Sequence, residues 1–175
     1  MKYVSTRNSK LTVPGSTAVL TGLAPDGGLY VPESFPYFSE EKIRAMEEMD
    51  YPERSATVMS AFFDELSYDE LLDIARRAYA TFDGDPAPLV KLDDGLYVLE
   101  LWHGRTHAFK DMALQMLPQL LSAALKKTGE GKTVCILVAT SGDTGKAAME
   151  GFADVPQTKI LVFYPKNGVS KVQET

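Results

Sequence analysis

The chain has 175 residues, 45% of them hydrophobic, which suits one domain or one domain with a smaller appendage. Its 24 acidic and 18 basic residues give a net charge of −6, which argues against an electrostatic nucleic-acid binder. The N-terminus is polar and no apolar run reaches membrane-spanning length, so we expect no membrane partner and a cytoplasmic location. Nothing in the sequence predicts an oligomeric state.

Cysteine and histidine usage bears on metal binding. The single cysteine, Cys135, lies in the apolar run TVCILVA, which is typical of a small core hydrophobe. The chain contains neither a CxxC pair nor an HExxH motif, so we predict no metal site.

The first 35 residues are predicted to be rich in strands and turns. Candidate strands are Lys2–Thr6, Ser16–Thr21 and Leu29–Val31. The segment APDGG before the third strand has turn chemistry, because proline fixes φ and glycine accepts positive φ. We expect these elements to form a hairpin-like cap.

Residues 39–82 are predicted to be helical. Ser39 is a candidate N-cap with acids after it, Pro52 opens a second helix, and Ser67 with Glu70 forms a capping-box pattern. The helices are amphipathic and carry no cluster of chemically active residues. A turn-rich stretch follows, so we predict two domains, residues 1–84 and residues 85–175.

The second predicted domain alternates strands and helices. The predicted strands are Leu96–Leu101, Val134–Ala139 and Lys159–Tyr164, the predicted helices are Phe109–Lys127 and Asp143–Phe152, and another helix starts near Lys171. Pro118 should kink or break the first of these helices. The apolar strands are typical of a parallel sheet buried on both faces. Three such strands make half of an α/β layer, so we expect an incomplete sheet, in a fragment or in a chain that completes it by association.

One candidate site follows the first of these strands, in the segment LWHGRTHAFKDMALQ. Lys110 lies at or near the first turn of the predicted helix, where the helix macrodipole opposes a cation. That field and partial burial would favour the neutral amine, which is the form that attacks a carbonyl to give a Schiff base. Taken alone, the lysine is more typical of a solvated helix residue.

A second candidate site is the segment ATSGDTGKA, between a buried strand and a helix. Its glycines let the backbone approach a ligand, and its hydroxyls and free helix amides can bind an anion. A Walker A loop is excluded because Thr140 stands where its first glycine is needed and Ala147 follows Lys146. No GxGxxG spacing is present. An ordinary capped helix entry explains the same residues equally well.

The two sites together favour one kind of chemistry. Ligands of parallel α/β sheets bind beyond the carboxyl ends of the strands, so both segments can face the same crevice. A lysine opposite a glycine-hydroxyl loop suits a carbonyl cofactor with an amino-acid substrate. The lysine would form the Schiff base and the loop would bind the substrate carboxylate.

The segments LTGLAPDGGLYVPE, HGRTHAFKDMALQ, LVATSGDTGKAA and VFYPKNGVSKVQ occur in that order and closely resemble the threonine synthase family. The resemblance implies an α/β enzyme with a strand-and-helix N-terminal region followed by part of a parallel three-layer αβα sheet of pyridoxal-phosphate (PLP) fold type II. It implies conversion of O-phosphohomoserine and water to threonine and phosphate by γ-elimination and β-addition, the last step of threonine biosynthesis.

The resemblance also assigns residues. Lys110 is implied as the Schiff-base and proton-shuttling lysine, Phe109 as a residue lining the cofactor, and Asp143 as a neighbour of the cofactor's 3-hydroxyl. The substrate carboxylate is implied at Ser141, Gly142 and Thr144.

The chain departs from the family in two respects. Arg105 replaces a proline and either adds a cation near a phosphate or points to solvent, and His107 replaces an apolar residue. Family members also continue into a second α/β region that carries the loop for the cofactor phosphate. Two alternatives therefore stay open: a PLP-dependent phospho-lyase acting on another phosphorylated amino compound, and a truncated, non-catalytic fragment.

Overall fold

The computed structural model describes residues 1–140 and 142–174 of a mixed α/β protein. The backbone divides into two units. Unit 1 comprises residues 1–76 and 123–131, and unit 2 comprises the remaining described residues, 77–122, 132–140 and 142–174. The predicted domain division at residue 84 stays a prediction. In the part of the chain that the structure describes, no helix is both long and apolar enough to cross a membrane.

The N-terminal sheet of unit 1 has three short strands in the order β2-β1-β3. These are β1 (Lys2–Ser5), β2 (Thr12–Pro14) and β3 (Tyr30–Pro32). Both neighbours pair with β1 antiparallel. The first and third predicted strands are therefore confirmed to within one residue, and the APDGG turn leads into β3.

The predicted strand Ser16–Thr21 is wrong, because these residues lie in helix α1 (Gly15–Thr21). Its start is stabilised by contacts from a distant segment. The N–H of Ser16 donates to Glu65 Oε2 at 2.9 Å, and a Cβ on Gly15 would stand 2.9 Å from the Phe63 ring. Tertiary contacts override the β preference of the branched residues in this segment.

Three capped helices follow: α2 (Glu40–Ala45), α3 (Tyr51–Met59) and α4 (Tyr68–Tyr79). The Ser39 side chain accepts from the N–H of Lys42, which confirms the predicted cap. The predicted capping box of α4 is also present, with Ser67 and Glu70 bonded reciprocally. Leu71 and Ile74 of α4 are buried, as expected for an amphipathic helix.

Unit 2 contains an antiparallel hairpin where one member of a parallel sheet was predicted. Strand β4 (Leu89–Asp93) pairs with β5 (Leu96–Leu99) in a separate two-stranded sheet. The two-residue connection ends in Gly95, whose φ of +74° is the left-handed conformation that tight hairpins need. The prediction of three parallel strands is wrong because this Asp-Gly hairpin signal outweighs the apolar run that follows it.

The parallel pair of unit 2 is β6 (Val134–Ala139) and β7 (Thr158–Phe163), connected through helix α7 (Asp143–Phe152). Helix α7 buries Ala147, Ala148 and Phe152 and packs against β7. Burial alternates along both strands, so only one face is covered. The outer face carries Cys135, which is exposed, and the predictions of a core cysteine and of strands buried on both faces are wrong here.

The long helix predicted at residues 109–127 is two helices, α5 (Asp111–Leu114) and α6 (Met116–Thr128). The chain turns at Gln115, and Pro118 then falls in the first turn of α6. Proline is tolerated there because the N–H that it lacks has no partner in a first turn. The predicted break is confirmed, three residues before the proline. The last described helix is α8 (Lys171–Glu174).

Candidate active site

Lys110 lies in the N-cap position of α5 with helical φ and ψ of −60° and −26°. Because α5 has only four residues, the macrodipole invoked from the sequence is that of a single turn. The Nζ atom stands 4.7 Å from the centroid of the Phe109 ring, which is 60% exposed. Lys110 is a half-buried residue, and its amine lies next to an exposed aromatic side chain.

A buried carboxylate fixes the segment that leads into Lys110, residues 100–110, here called the lysine loop. Asp111 is fully buried and accepts hydrogen bonds from Thr106 N at 2.8 Å and Thr106 Oγ1 at 2.7 Å. Gly104 lies so close that a Cβ there would be 2.5 Å from the Asp111 side chain. Asp111, the residue after Lys110, thereby connects the lysine loop to the start of α5.

Asp111 carries no role in the sequence interpretation, although a signal for it exists. An acidic residue in a helix's first turn is common for reasons of capping and dipole alone, so its identity is uninformative. Gly104 and Thr106, which precede Asp111, are more informative. The glycine permits close approach to the carboxylate, and the threonine supplies two hydrogen-bond donors to it.

Both histidines also hold the lysine loop. His103 Nε2 lies 2.7 Å from Glu100 Oε2, and its ring stacks on Trp102 with centroids 5.8 Å apart. His107 has a φ of +56° and places Nδ1 3.2 Å from the Trp102 carbonyl oxygen. These contacts shape the turn, and no acid–base role is assigned to either ring.

Helices α5 and α7 pack closely within unit 2. A Cβ at Gly151 of α7 would overlap the carbonyl oxygen of Leu114 and would reach 3.5 Å from Pro118 Cγ. Arg105 of the lysine loop forms an ion pair with Glu150 of α7. The sequence left two alternatives for Arg105, a phosphate contact or a solvent-facing side chain. In the structure its partner is instead a carboxylate on a neighbouring helix.

The second candidate site, residues 140–145, is here called the glycine loop; Ser141 lies outside the described residues. Gly142 is the N-cap of α7, and its N–H donates to Thr140 Oγ1 at 3.2 Å. Asp143 and Thr144 are exposed in the first turn. Asp143 Oδ1 accepts from Gln173 Nε2 at 2.8 Å.

A small cleft, open to solvent, adjoins the glycine loop. Its lining combines the loop with parts of α7, β7 and α8: Thr140, Gly142, Gly145, Lys146, Met149, Val162, Tyr164, Val169 and Gln173. Lys110 is not one of the described residues that line this cleft. The structure brings Gly142 together with Gln173 and packs α5 on α7, whereas a crevice shared by Lys110 and the glycine loop stays a prediction.

No metal centre is apparent, since the described residues contain no group of three or more His, Cys, Asp or Glu side chains arranged to hold an ion. The arrangement instead offers an amine, an exposed aromatic side chain, the first turn of a helix with exposed residues, and a carboxylate. Such groups bind or react with anionic and carbonyl-bearing small molecules.

Comparison with known proteins identifies relatives of the whole chain. A family profile for the threonine synthase N terminus matches residues 2–79. Threonine synthase of Pseudomonas aeruginosa is 43% identical over 175 residues, covering 99% of this chain and 37% of that protein. Threonine synthase-like 2 of Mus musculus is 40% identical over 177 residues, covering 99% of this chain and 36% of that protein.

The fold agrees as well. The crystal structure of PLP-bound threonine synthase from Brucella melitensis matches with a TM-score of 0.91 and 43% identity, over 99% of this chain and 37% of that one. The chain therefore spans 36–37% of the length of these relatives. In both sequence and fold, it corresponds to the N-terminal part of threonine synthases.

Proposed function

We propose that the native protein containing these residues is a PLP-dependent threonine synthase of fold type II, converting O-phosphohomoserine and water to L-threonine and phosphate. The observation that carries the proposal is the placement of Lys110. Its amine lies 4.7 Å from the centroid of an exposed aromatic ring, in a segment locked by a buried carboxylate. Relatives named threonine synthase across the whole chain support the same reaction.

The residues present fit PLP at three points. The Lys110 amine suits the aldehyde, the exposed Phe109 face suits a flat pyridine ring, and the exposed Asp143 carboxylate can accept from a ring hydroxyl. The proposal assigns the cofactor phosphate to none of these residues, because the family resemblance places its loop in a later region.

When bound, PLP supplies an electron-accepting ring conjugated to the substrate's amino group. In this proposal, Lys110 Nζ removes and returns protons at successive substrate carbons, a role that its half-buried position next to the ring supports. Ser141, Gly142 and Thr144 bind the substrate carboxylate. Exposed Thr144 is in the first turn of α7, where amides and dipole favour an anion, and the carboxylate would replace the 3.2 Å bond from Gly142 N to Thr140.

The first test compares Lys110→Ala with Lys126→Ala in the native protein. Lys126 is an exposed lysine near the end of α6 and serves as the matched control. We expect wild type and the control to show visible imine absorbance with PLP and phosphate release from O-phosphohomoserine, and Lys110→Ala to lose both. Absorbance and turnover that persist in Lys110→Ala would overturn the proposed role of the lysine.

A second candidate function follows from the relatives named threonine synthase-like 2, which are as similar to the chain as several threonine synthases. It is PLP-dependent phosphate release from another phosphorylated amino compound. The same preparation should be assayed with O-phosphohomoserine and with phosphoethanolamine-type compounds. Release from the latter alone would exclude a threonine synthase and keep the PLP chemistry, whereas absence of both activities would favour a non-catalytic protein.

A further inference from the structure

The Gln173 side chain uses both ends of its amide. Its Oε1 atom accepts from Ser170 N at 3.0 Å, and its backbone N–H donates to Ser170 Oγ at 3.3 Å, which makes a reciprocal cap at the start of α8. Its Nε2 atom donates to Asp143 Oδ1 at 2.8 Å. Because the oxygen is engaged by the cap, the amide nitrogen is directed toward Asp143.

The same side chain occupies the space above Gly142. A Cβ at position 142 would overlap Gln173 Nε2 and would lie 2.9 Å from its Cδ. Gly142 and Gln173 both line the cleft beside the glycine loop. One side chain, 30 positions along the chain, thus contacts the backbone of the N-cap residue of α7 and the carboxylate that follows it.

We propose that Gln173 is a positioning residue that sets the Asp143 carboxylate and the Gly142 backbone for the ligands of this site. An exposed carboxylate samples several rotamers, and a donor on one oxygen restricts it while leaving its other oxygen free to accept from a ligand hydroxyl. The inference rests on the proposed function, in which Asp143 faces the cofactor's 3-hydroxyl.

Glu at position 173 is the informative substitution. Gln173→Glu keeps the shape and the oxygen that caps α8, removes the donor to Asp143, and places two carboxylates together. Ser170→Ala is the matched control, because it removes one bond of the cap and leaves the bond from Gln173 to Asp143. The double variant Asp143→Asn with Gln173→Glu restores a donor–acceptor pair with the direction reversed.

The first readout needs no cofactor. In the cofactor-free native protein, we expect Gln173→Glu to speed amide hydrogen exchange at residues 142–146 by about tenfold, from loss of a hydrogen bond to a charged group. Ser170→Ala should change that exchange less than about twofold, and the double variant should restore it. Exchange that is the same in Gln173→Glu and wild type, or equally raised by Ser170→Ala, would overturn the proposal.

The second readout is PLP affinity, followed by visible absorbance. Gln173→Glu should weaken PLP binding by about tenfold. The double variant should not recover that affinity, because an amide replaces the Asp143 carboxylate that is proposed to contact the cofactor. A wild-type protein that binds no PLP would refute the proposed function, and the exchange experiment would still test the tie between Gln173 and Asp143. Unchanged PLP affinity in Gln173→Glu would refute the positioning role.

Discussion

Two aspartate–glycine turns of this protein have similar composition and different surroundings. In unit 1, the Asp26 carboxylate accepts from Gly28 N at 2.9 Å and from Ser5 Oγ at 2.8 Å. The Arg7 guanidinium donates to the carbonyl oxygen of Asp26 at 3.1 Å. These partners come from the turn itself, from Ser5 of strand β1 and from Arg7 just beyond that strand, and they hold the turn closed.

In unit 2, the exposed Asp143 carboxylate takes a hydrogen bond from Gln173 in a different helix, beside an open cleft. Composition does not distinguish the two turns, because both contain aspartate and glycine next to a strand, before β3 in one case and after β6 in the other. The two turns differ in where the hydrogen-bond donors to the aspartate carboxylate come from. A carboxylate satisfied by its own turn is structural, and one held at a single oxygen by a remote side chain remains accessible to a ligand.

The largest effect is expected at Asp111, where a buried carboxylate supports the lysine loop. Asp111→Ala leaves the N–H and hydroxyl of Thr106 without their acceptor, which should cost about 2–3 kcal/mol in the free energy of unfolding. Displacement of Lys110 should lower kcat by about 100-fold. Urea unfolding and steady-state assays of the native protein measure both quantities.

Asp111→Asn is the control for that experiment, because its amide can still accept from Thr106 N and donate to the hydroxyl. Most of the stability should return. Wild-type kcat in Asp111→Ala would show that the lysine loop is held by other contacts, and the contrast between the site and the self-contained Asp26 turn would then disappear.

A smaller effect is expected at Gly151, where α7 meets α5. The added methyl in Gly151→Ala would overlap the Leu114 carbonyl oxygen, so the helices must separate, at a cost of about 1–3 kcal/mol. Gly131→Ala is a matched control, since a Cβ there meets nothing within 4 Å and its φ is not positive. Equal urea midpoints for the two variants would contradict the close packing.

Local signals predicted several elements well. The strand, helix and strand of the parallel unit were found with bounds within one residue, because a continuous apolar run and a helix start are encoded in adjacent positions. The capping box of α4 likewise needs only a four-residue pattern. Lys110 and the glycine loop are predicted as site candidates on the same kind of local signal, since each lies between a strand and a helix, and their roles stay predictions.

The remaining features depend on residues far apart in sequence. Helix α1 exists where Glu65 and Phe63 meet residues 15 and 16, and Gln173 reaches Asp143 across 30 positions. The hairpin of β4 and β5 is an exception, because its Asp-Gly turn is a local signal that the sequence interpretation missed. Supporting residues escape detection because their importance comes from burial and partners rather than from residue type.

The Asp26 turn, whose carboxylate is satisfied by nearby donors, makes a prediction about stability at low pH. Hydrogen bonds from the Gly28 N–H and the Ser5 hydroxyl hold the pKa of Asp26 below its usual value of 3.8. A carboxyl whose pKa is lowered on folding stabilises the protein fully above its unfolded pKa and loses that contribution as pH falls through the folded value. Below about pH 4, wild type should therefore lose stability more steeply than Asp26→Asn.

Thermal unfolding between about pH 3 and pH 5 measures that difference, and PLP affinity near neutral pH is the companion readout. Asp26→Asn should leave PLP affinity unchanged, because the turn satisfies its own carboxylate. Weakened PLP binding would show that the turn contributes to the site, and parallel pH profiles for the two proteins would contradict the lowered pKa.

The smallest effect is expected for Arg105, although it joins the lysine loop to α7. Its ion pair with Glu150 is half exposed on the arginine side, and such pairs contribute about 0–1 kcal/mol. A double-mutant cycle with Arg105→Ala and Glu150→Ala should give a coupling of about 0.5 kcal/mol that fades in high salt, with PLP affinity nearly unchanged. The buried contacts of Asp111 hold the loop without this pair. A loss of kcat in Arg105→Ala as large as that expected for Asp111→Ala would instead make the exposed ion pair the main support of Lys110.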